Sequence, residues 1–154
     1  MIEHHIEQML LHRRDKFLIP ASLVATVNVE NNLAHAFLVL TKNRYAKIIV
    51  VDNDNYYCGQ ISLAMITEQL LDTEEINVDK LNTLKVGDVM QTATPVIHDP
   101  FNIEENLHLL VDHSFLTVTD LSGHFEGIVT RREVLKAVNY MAHEFGKQYN
   151  IENK

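Results

Sequence analysis

The segment G-I-V-T-R-R-E, Gly127 to Glu133, places a glycine, a hydroxyl, two guanidinium groups and a carboxylate within seven positions. That is equipment for holding an anion. It follows an apolar β-branched run and opens a helix-like pattern. A strand that feeds a helix presents free N–H groups and the positive end of the helix dipole. Thr130 stands where an N-cap belongs and Glu133 lies three residues on, which is also the pattern of a capping box. These two residues are therefore open to two readings, a plain helix start or part of a binding site. The arginines weigh toward the second. Basic side chains in a first turn oppose the macrodipole by a few tenths of a kcal/mol each. Their planar forks match phosphate oxygens bidentately. Adjacent helical residues point about 100° apart, so Arg131 and Arg132 face different ways.

Such a basic spot is local. The 154 residues carry a net charge of −8 with only five arginines, which argues against a nucleic-acid surface. With 46% apolar and 22% charged residues the chain belongs to the soluble globular class. No apolar run approaches the roughly 20 residues of a spanning helix, and the N-terminus lacks the order of a secretion signal. One cysteine, Cys58, allows no intrachain disulfide, and a reducing, cytoplasmic setting is expected. No nucleophile elbow, Walker loop or H-E-x-x-H is present, so the chain is not expected to be an enzyme. Cys58 reads as a small apolar filler. The nine histidines, among them His4, His5, His12, His108 and His113, read as scattered surface positions and not as a metal site.

The elements that must position the segment occur twice. R-Y-A-K-I-I-V-V-D-N-D-N-Y-Y-C-G-Q-I-S, from Arg44, matches D-H-S-F-L-T-V-T-D-L-S-G-H-F-E-G-I-V-T, from Asp112. In each, a strand ends at an aspartate (Asp52 or Asp120), a turn follows, and a second strand holds Gly59 or Gly127 seven residues on. Upstream of each lies a short extended piece, V-A-T-V or T-P-V-I, then a helix with one apolar face. A second helix follows each hairpin, Leu63 to Leu71 and Arg131 to about Phe145. The order is β-α-β-β-α, twice. A first helix with Ile2, Ile6, Met9 and Leu10 at helical spacing is predicted to run toward Phe17, and Pro20 stops it. The expected ranges are an N-terminal helix over 1–16, a first repeat over 17–72, a connector over 73–83, a second repeat over 84–146 and a tail over 147–154. A 50-residue unit buries too little surface to be comfortable alone, so the halves are expected to pack together.

This pattern resembles the CBS-domain pair, also called a Bateman module. L-K-V-G-D-V-M, Leu84 to Met90, is similar to the family's usual opening of a repeat. G-I-V-T-R-R-E is similar to its nucleotide motif, G-x-x-[ST]-x-x-[acid]. The resemblance spans about residues 17 to 143 and implies an α/β (α+β) fold of tandem CBS repeats forming a pseudo-two-fold pair. It implies clefts between the halves that take adenine nucleotides, with Thr130 and Glu133 on ribose. The first copy departs from the pattern. G-Q-I-S-L-A-M supplies Gly59 and Ser62 but has Met65 in place of the acid, and a thioether is a poor acceptor. One cleft is therefore expected to be weak or empty.

Within the family the chain looks most like the small stand-alone cyclic di-AMP-binding proteins of Gram-positive bacteria. Two phosphates suit two arginines. An adenine slot is assigned to Leu23, Val24, Ala25 and Val27, with Tyr45 and Ala46; Ala25 is small enough for a flat base to approach the backbone. Arg131 and Arg132 would meet the phosphates. The resemblance implies no further cofactor, a homodimer, and docking on a partner enzyme such as a guanosine tetra/pentaphosphate synthetase-hydrolase. A sensor of AMP, ADP or ATP, or an adaptor without ligand, remain alternative readings.

Overall fold

Caps and buried apolar faces decide where the helices start and stop in the computed structural model, which describes residues 1–152. Helix α1, His4–Leu11, is capped by the Glu3 carboxylate, which accepts from the N–H groups of His5 and Ile6. It ends well before Phe17. A 3-10 turn, Arg14–Lys16, intervenes, and strand β1, Leu18–Pro20, follows. The reason lies in what comes next. Phe17 is wholly buried, and β1 must offer its main chain to a strand, which a continued α-helix does not do.

The two repeats then run as expected. The first is β2 (Thr26–Asn28), α2 (Leu33–Asn43), β3 (Lys47–Val51), β4 (Tyr57–Ser62) and α3 (Leu63–Leu70). The stretch that reads as connector contains a short helix, α4 (Lys80–Thr83), and α5 (Val86–Val89) follows it. The second repeat is β5 (Val96–Ile97), α6 (Ile103–Leu110), β6 (Phe115–Thr119), β7 (Phe125–Thr130) and α7 (Arg131–Gln148). Helix α2 stops where Arg44 turns left-handed, φ 56°. This is the mixed α/β architecture of tandem β-α-β-β-α repeats with an N-terminal helix.

The strands form two sheets, one ordered β1-β7-β6-β5 and the other β2-β3-β4. β2 and β3 run parallel, as do β5 and β6, each pair spanned by a helix, whereas β3–β4 and β1–β7 are antiparallel. Two compact units result. One comprises Met1–Val24, Pro95–Thr119 and Glu126–Lys154; the other comprises Ala25–Thr94 and Asp120–Phe125. In the first, Phe17, Ile97, Ile103, Leu116, Val118, Val129 and Ala137 form the core, with Leu10 of α1 added to it. In the second, Val27, Leu33, Leu40, Ile48, Val50, Ile61 and Ile66 do the same.

The hairpin aspartates hold their turns. Asp52 Oδ1 accepts from the N–H groups of Asp54 and Tyr56, each at 2.9 Å. Asp120 Oδ1 accepts from Ser122 and His124 at the same distance. The left-handed residues of the two turns, Asn55 and Gly123, occupy equivalent positions. The tips also pair with one another: the Tyr57 and Phe125 N–H groups donate to Gly123 O (3.0 Å) and Asn55 O (2.9 Å). The Tyr56 and His124 rings stack with centroids 4.2 Å apart. The Asp120 carboxyl titrates below its usual range, chiefly through the His124 main-chain N–H and then through the His124 ring.

Each motif glycine lies under a crossing segment. A Cβ on Gly127 would stand 2.1 Å from the Ile19 carbonyl of β1, and one on Gly59 would stand 2.5 Å from that of Gln91. Gly127 also has φ +152°, which side chains disfavour.

Two expectations follow from these contacts. Gly127→Ala should destabilise the protein by roughly 3 kcal/mol. In differential scanning calorimetry that is a Tm loss of about 6–12 °C. Gly146→Ala, with no atom within 4 Å of the new Cβ, should instead raise Tm slightly. Acid titration followed by circular dichroism checks Asp120. Ionised Asp120 stabilises the fold above its unfolded pKa of about 3.9. That contribution is lost as pH falls through the lower folded value, so Asp120→Asn should flatten the acid limb of the stability curve.

Candidate functional site

The end of β7 and the first turn of α7 carry the groups that the sequence singles out. Thr130 caps α7: its Oγ1 accepts from the Glu133 N–H at 3.2 Å. The reciprocal half of a capping box is not formed. The Glu133 carboxylate instead pairs with Lys136 Nζ at 3.1 Å, which leaves it a side-chain acceptor at the helix start. In the first repeat Ser62 caps α3 in the same way, its Oγ accepting from the Met65 N–H at 3.1 Å. Met65 packs against the apolar core there. The two copies thus share one cap geometry and differ in the groups it displays.

The adjacent arginines have separate tasks. Arg131 Nε donates to Leu110 O at 2.8 Å and its Nη2 to Val111 O at 3.2 Å. Those carbonyls lie at the C-terminal end of α6, where a cation also complements the dipole. Arg131 therefore ties α7 to α6. Arg132 is exposed and makes no hydrogen bond or ion pair among the described residues. Beside it opens a hollow of about 490 Å³, lined by Arg131, Arg132, Leu135, Lys136 and Asn139. The role of Arg131 was not visible in the sequence, because nothing local links it to residues 20 positions earlier.

The remaining candidates are distributed over both units. Leu23, three-quarters exposed, and Val24 belong to the same unit as Thr130, Arg131, Arg132 and Glu133. Ala25, Val27, Tyr45 and Ala46 belong to the other. Within that unit β2 is an edge strand, paired only with β3. The Val27 side chain is buried in the core, so what it offers a ligand is main chain. Tyr45 and Ala46 are exposed directly after the left-handed Arg44, the conformation that ends α2 and releases them from the helix. Among the described residues, no group of three His, Cys, Asp or Glu side chains is arranged to hold a metal ion. No helix among the described residues is long and apolar enough to cross a membrane.

The sequence pattern of the CBS domain matches residues 19–72 and 86–140. The chain belongs to the CBS-domain family. Its two CBS repeats are those traced above, each ending in a capped helix. Over 139 residues it is 38% identical to cyclic di-AMP receptor B of Bacillus subtilis (strain 168), covering 90% of this chain and 95% of that protein. The Listeria monocytogenes CbpB protein, solved in complex with c-di-AMP, is 52% identical with a TM-score of 0.79, over 86% of this chain and 98% of its own. CbpB from Streptococcus agalactiae superposes with a TM-score of 0.87 at 29% identity, over 99% and 96% of the two chains.

The division of labour between the arginines is directly measurable. Charge-assisted hydrogen bonds contribute about 1.5–3 kcal/mol, so Arg131→Met should lower unfolding free energy by an amount in that range. Arg132→Met should change it by less than about 0.5 kcal/mol. Urea denaturation of the two variants makes the comparison, and equal losses would contradict the separate roles.

Proposed function

We propose that this CBS-domain protein is a non-catalytic receptor for cyclic di-AMP, with Arg132 as its principal phosphate ligand. The observation that carries the reading is an arginine in the first turn of α7 with no hydrogen-bond or ion-pair partner among the described residues, beside a capped helix start whose twin in the first repeat has the cap but neither the arginines nor the acid. The likeness to proteins described as binding this dinucleotide supports it. An unpaired guanidinium there is unfavourable until an anion arrives. Thr130 and Glu133 serve the ribose, and Arg131 adds charge to the phosphates while holding α6. Leu23, Val24, Ala25 and Val27 supply a largely main-chain slot for one adenine, with Tyr45 and Ala46 as its wall. The first repeat, with Met65 for the acid, contributes no equivalent site.

A homodimer in the cytoplasm is the working form in this proposal. The nucleotide regulates docking on a partner enzyme, for which a guanosine tetra/pentaphosphate synthetase-hydrolase is the candidate. Such control requires only that the ligand bind two states of the protein unequally.

A thermal-shift panel of AMP, ADP, ATP, cyclic di-AMP and cyclic di-GMP tests the ligand, since a compound specific for the folded state raises Tm by mass action. Cyclic di-AMP alone should shift the transition. A shift with the mononucleotides instead would make the protein an energy sensor, and no shift at all would make it an adaptor. In calorimetry, Arg132→Met should weaken cyclic di-AMP at least about tenfold. An unchanged affinity removes the phosphate assignment.

A further inference from the structure

The adenine slot proposed above takes one base, and cyclic di-AMP has two. Room and chemistry for the other lie in the hollow beside Arg132. Arg132, Leu135 and Asn139 stand at i, i+3 and i+7 on α7, which puts them on one face of the helix, about 10 Å from end to end. All three line that hollow of about 490 Å³, a size that accommodates a purine. Their neighbours there are engaged elsewhere. Lys136 Nζ pairs with Glu133 Oε1 at 3.1 Å, and the Arg131 guanidinium is fixed to the carbonyls of Leu110 and Val111.

What the hollow leaves unengaged is a cation, an apolar surface and an amide, in that order along the helix. Leu135 is 56% exposed. The Asn139 side chain is exposed and makes no hydrogen bond among the described residues. An exposed leucine alone signifies little, but beside an unpaired arginine and a free amide it completes a set. Asparagine is also a weaker helix former than alanine, lysine or glutamate, so stability alone does not account for it in the middle of α7. A carboxamide reads adenine: its NH2 donates to a ring nitrogen while its carbonyl accepts from the 6-amino group. Guanine offers O6 and N7 there, two acceptors. One of the two bonds is then lost, and the carbonyl faces an acceptor.

We propose that Leu135 and Asn139 form the subsite for the second adenine of cyclic di-AMP, Leu135 as the surface under the base and Asn139 as the group that selects adenine over guanine. This deepens the reading above and rests on it, since Arg132 holds the phosphate from which that nucleoside extends. The preference for a dinucleotide over a mononucleotide then has its source in the second base.

Calorimetry on the full chain with two ligands, cyclic di-AMP and the mixed cyclic AMP–GMP dinucleotide, tests the assignment. The mixed ligand can keep its adenine in the first slot and must then set guanine against Asn139. The wild type should bind cyclic di-AMP at least about fivefold more tightly. Asn139→Ala should weaken cyclic di-AMP by a similar factor and bring the two ligands within twofold of one another. Its Tm should rise at the same time, because alanine is the better helix former, and a merely structural asparagine would not separate the two effects. Leu135→Ser should weaken both ligands at least about threefold, since an apolar surface serves either base. Equal wild-type affinities for the two ligands, or cyclic di-AMP binding unchanged in Asn139→Ala, overturns the proposal. So does dissociation of an oligomer by Leu135→Ser in sedimentation velocity, which would give this face to a second copy of the chain. A wild type that binds neither ligand removes the nucleotide reading and its second base together. One that binds cyclic di-AMP tightly, with both variants unaffected, removes only the subsite.

Discussion

Two main chains come so close at Gly127 that no side chain can stand between them, and much of the rest is arranged around that approach. The Ile19 carbonyl lies where a Cβ would be, so β1 can pair with β7 across Leu18–Val129, Ile19–Ile128 and Pro20–Gly127. That pairing holds the strand whose last residue, Thr130, caps α7. Gly59 and Gln91 repeat the device, with Gln60 and Gln91 joined in an antiparallel bridge. In both places a segment that leads into one repeat hydrogen-bonds to the hairpin of the other, as a paired strand at β1 and as a single bridge at Gln91.

This pairing across repeats marks the limit of what the sequence made legible. Strands, helices and turns could be read because each has a local cause: β-branched runs, apolar faces at helical spacing, Asp52 and Asp120 folding their turns onto their own carboxylates. The repeat could be read because it repeats. Partners distant in sequence leave no such mark. Nothing about Leu18–Pro20 predicts β7 as its neighbour, and the helical spacing that begins at Ile2 hides the break at Leu11. The same holds at the site. Thr130 as a cap was legible from its position, but the separation of Arg131 from Arg132 depends on the carbonyls of Leu110 and Val111, which come from another helix.

The two copies show what divergence can change while keeping a fold. Ser62 and Thr130 cap their helices with the same bond, and the glycines before them meet the same constraint. The positions after the caps differ: Met65 packs against the core of its unit, whereas Glu133 is polar, pairs with Lys136 and follows two arginines. A duplicated scaffold thereby became asymmetric in chemistry with little change in geometry.

The pairing of β1 with β7 also sets an order of events in time. Among the described strands β1 is made first and β7 last, so one sheet cannot close until the segment between them has been made. Contacts this distant in sequence slow folding, because the loop must be closed before they stabilise anything. The strands β2, β3 and β4 need no such delay, since their pairings with one another are complete by Ser62. Synthesis would then proceed with the sheet of the first repeat formed early and Leu18–Pro20 unpaired until β7 is made, an interval in which its main chain is open to other chains.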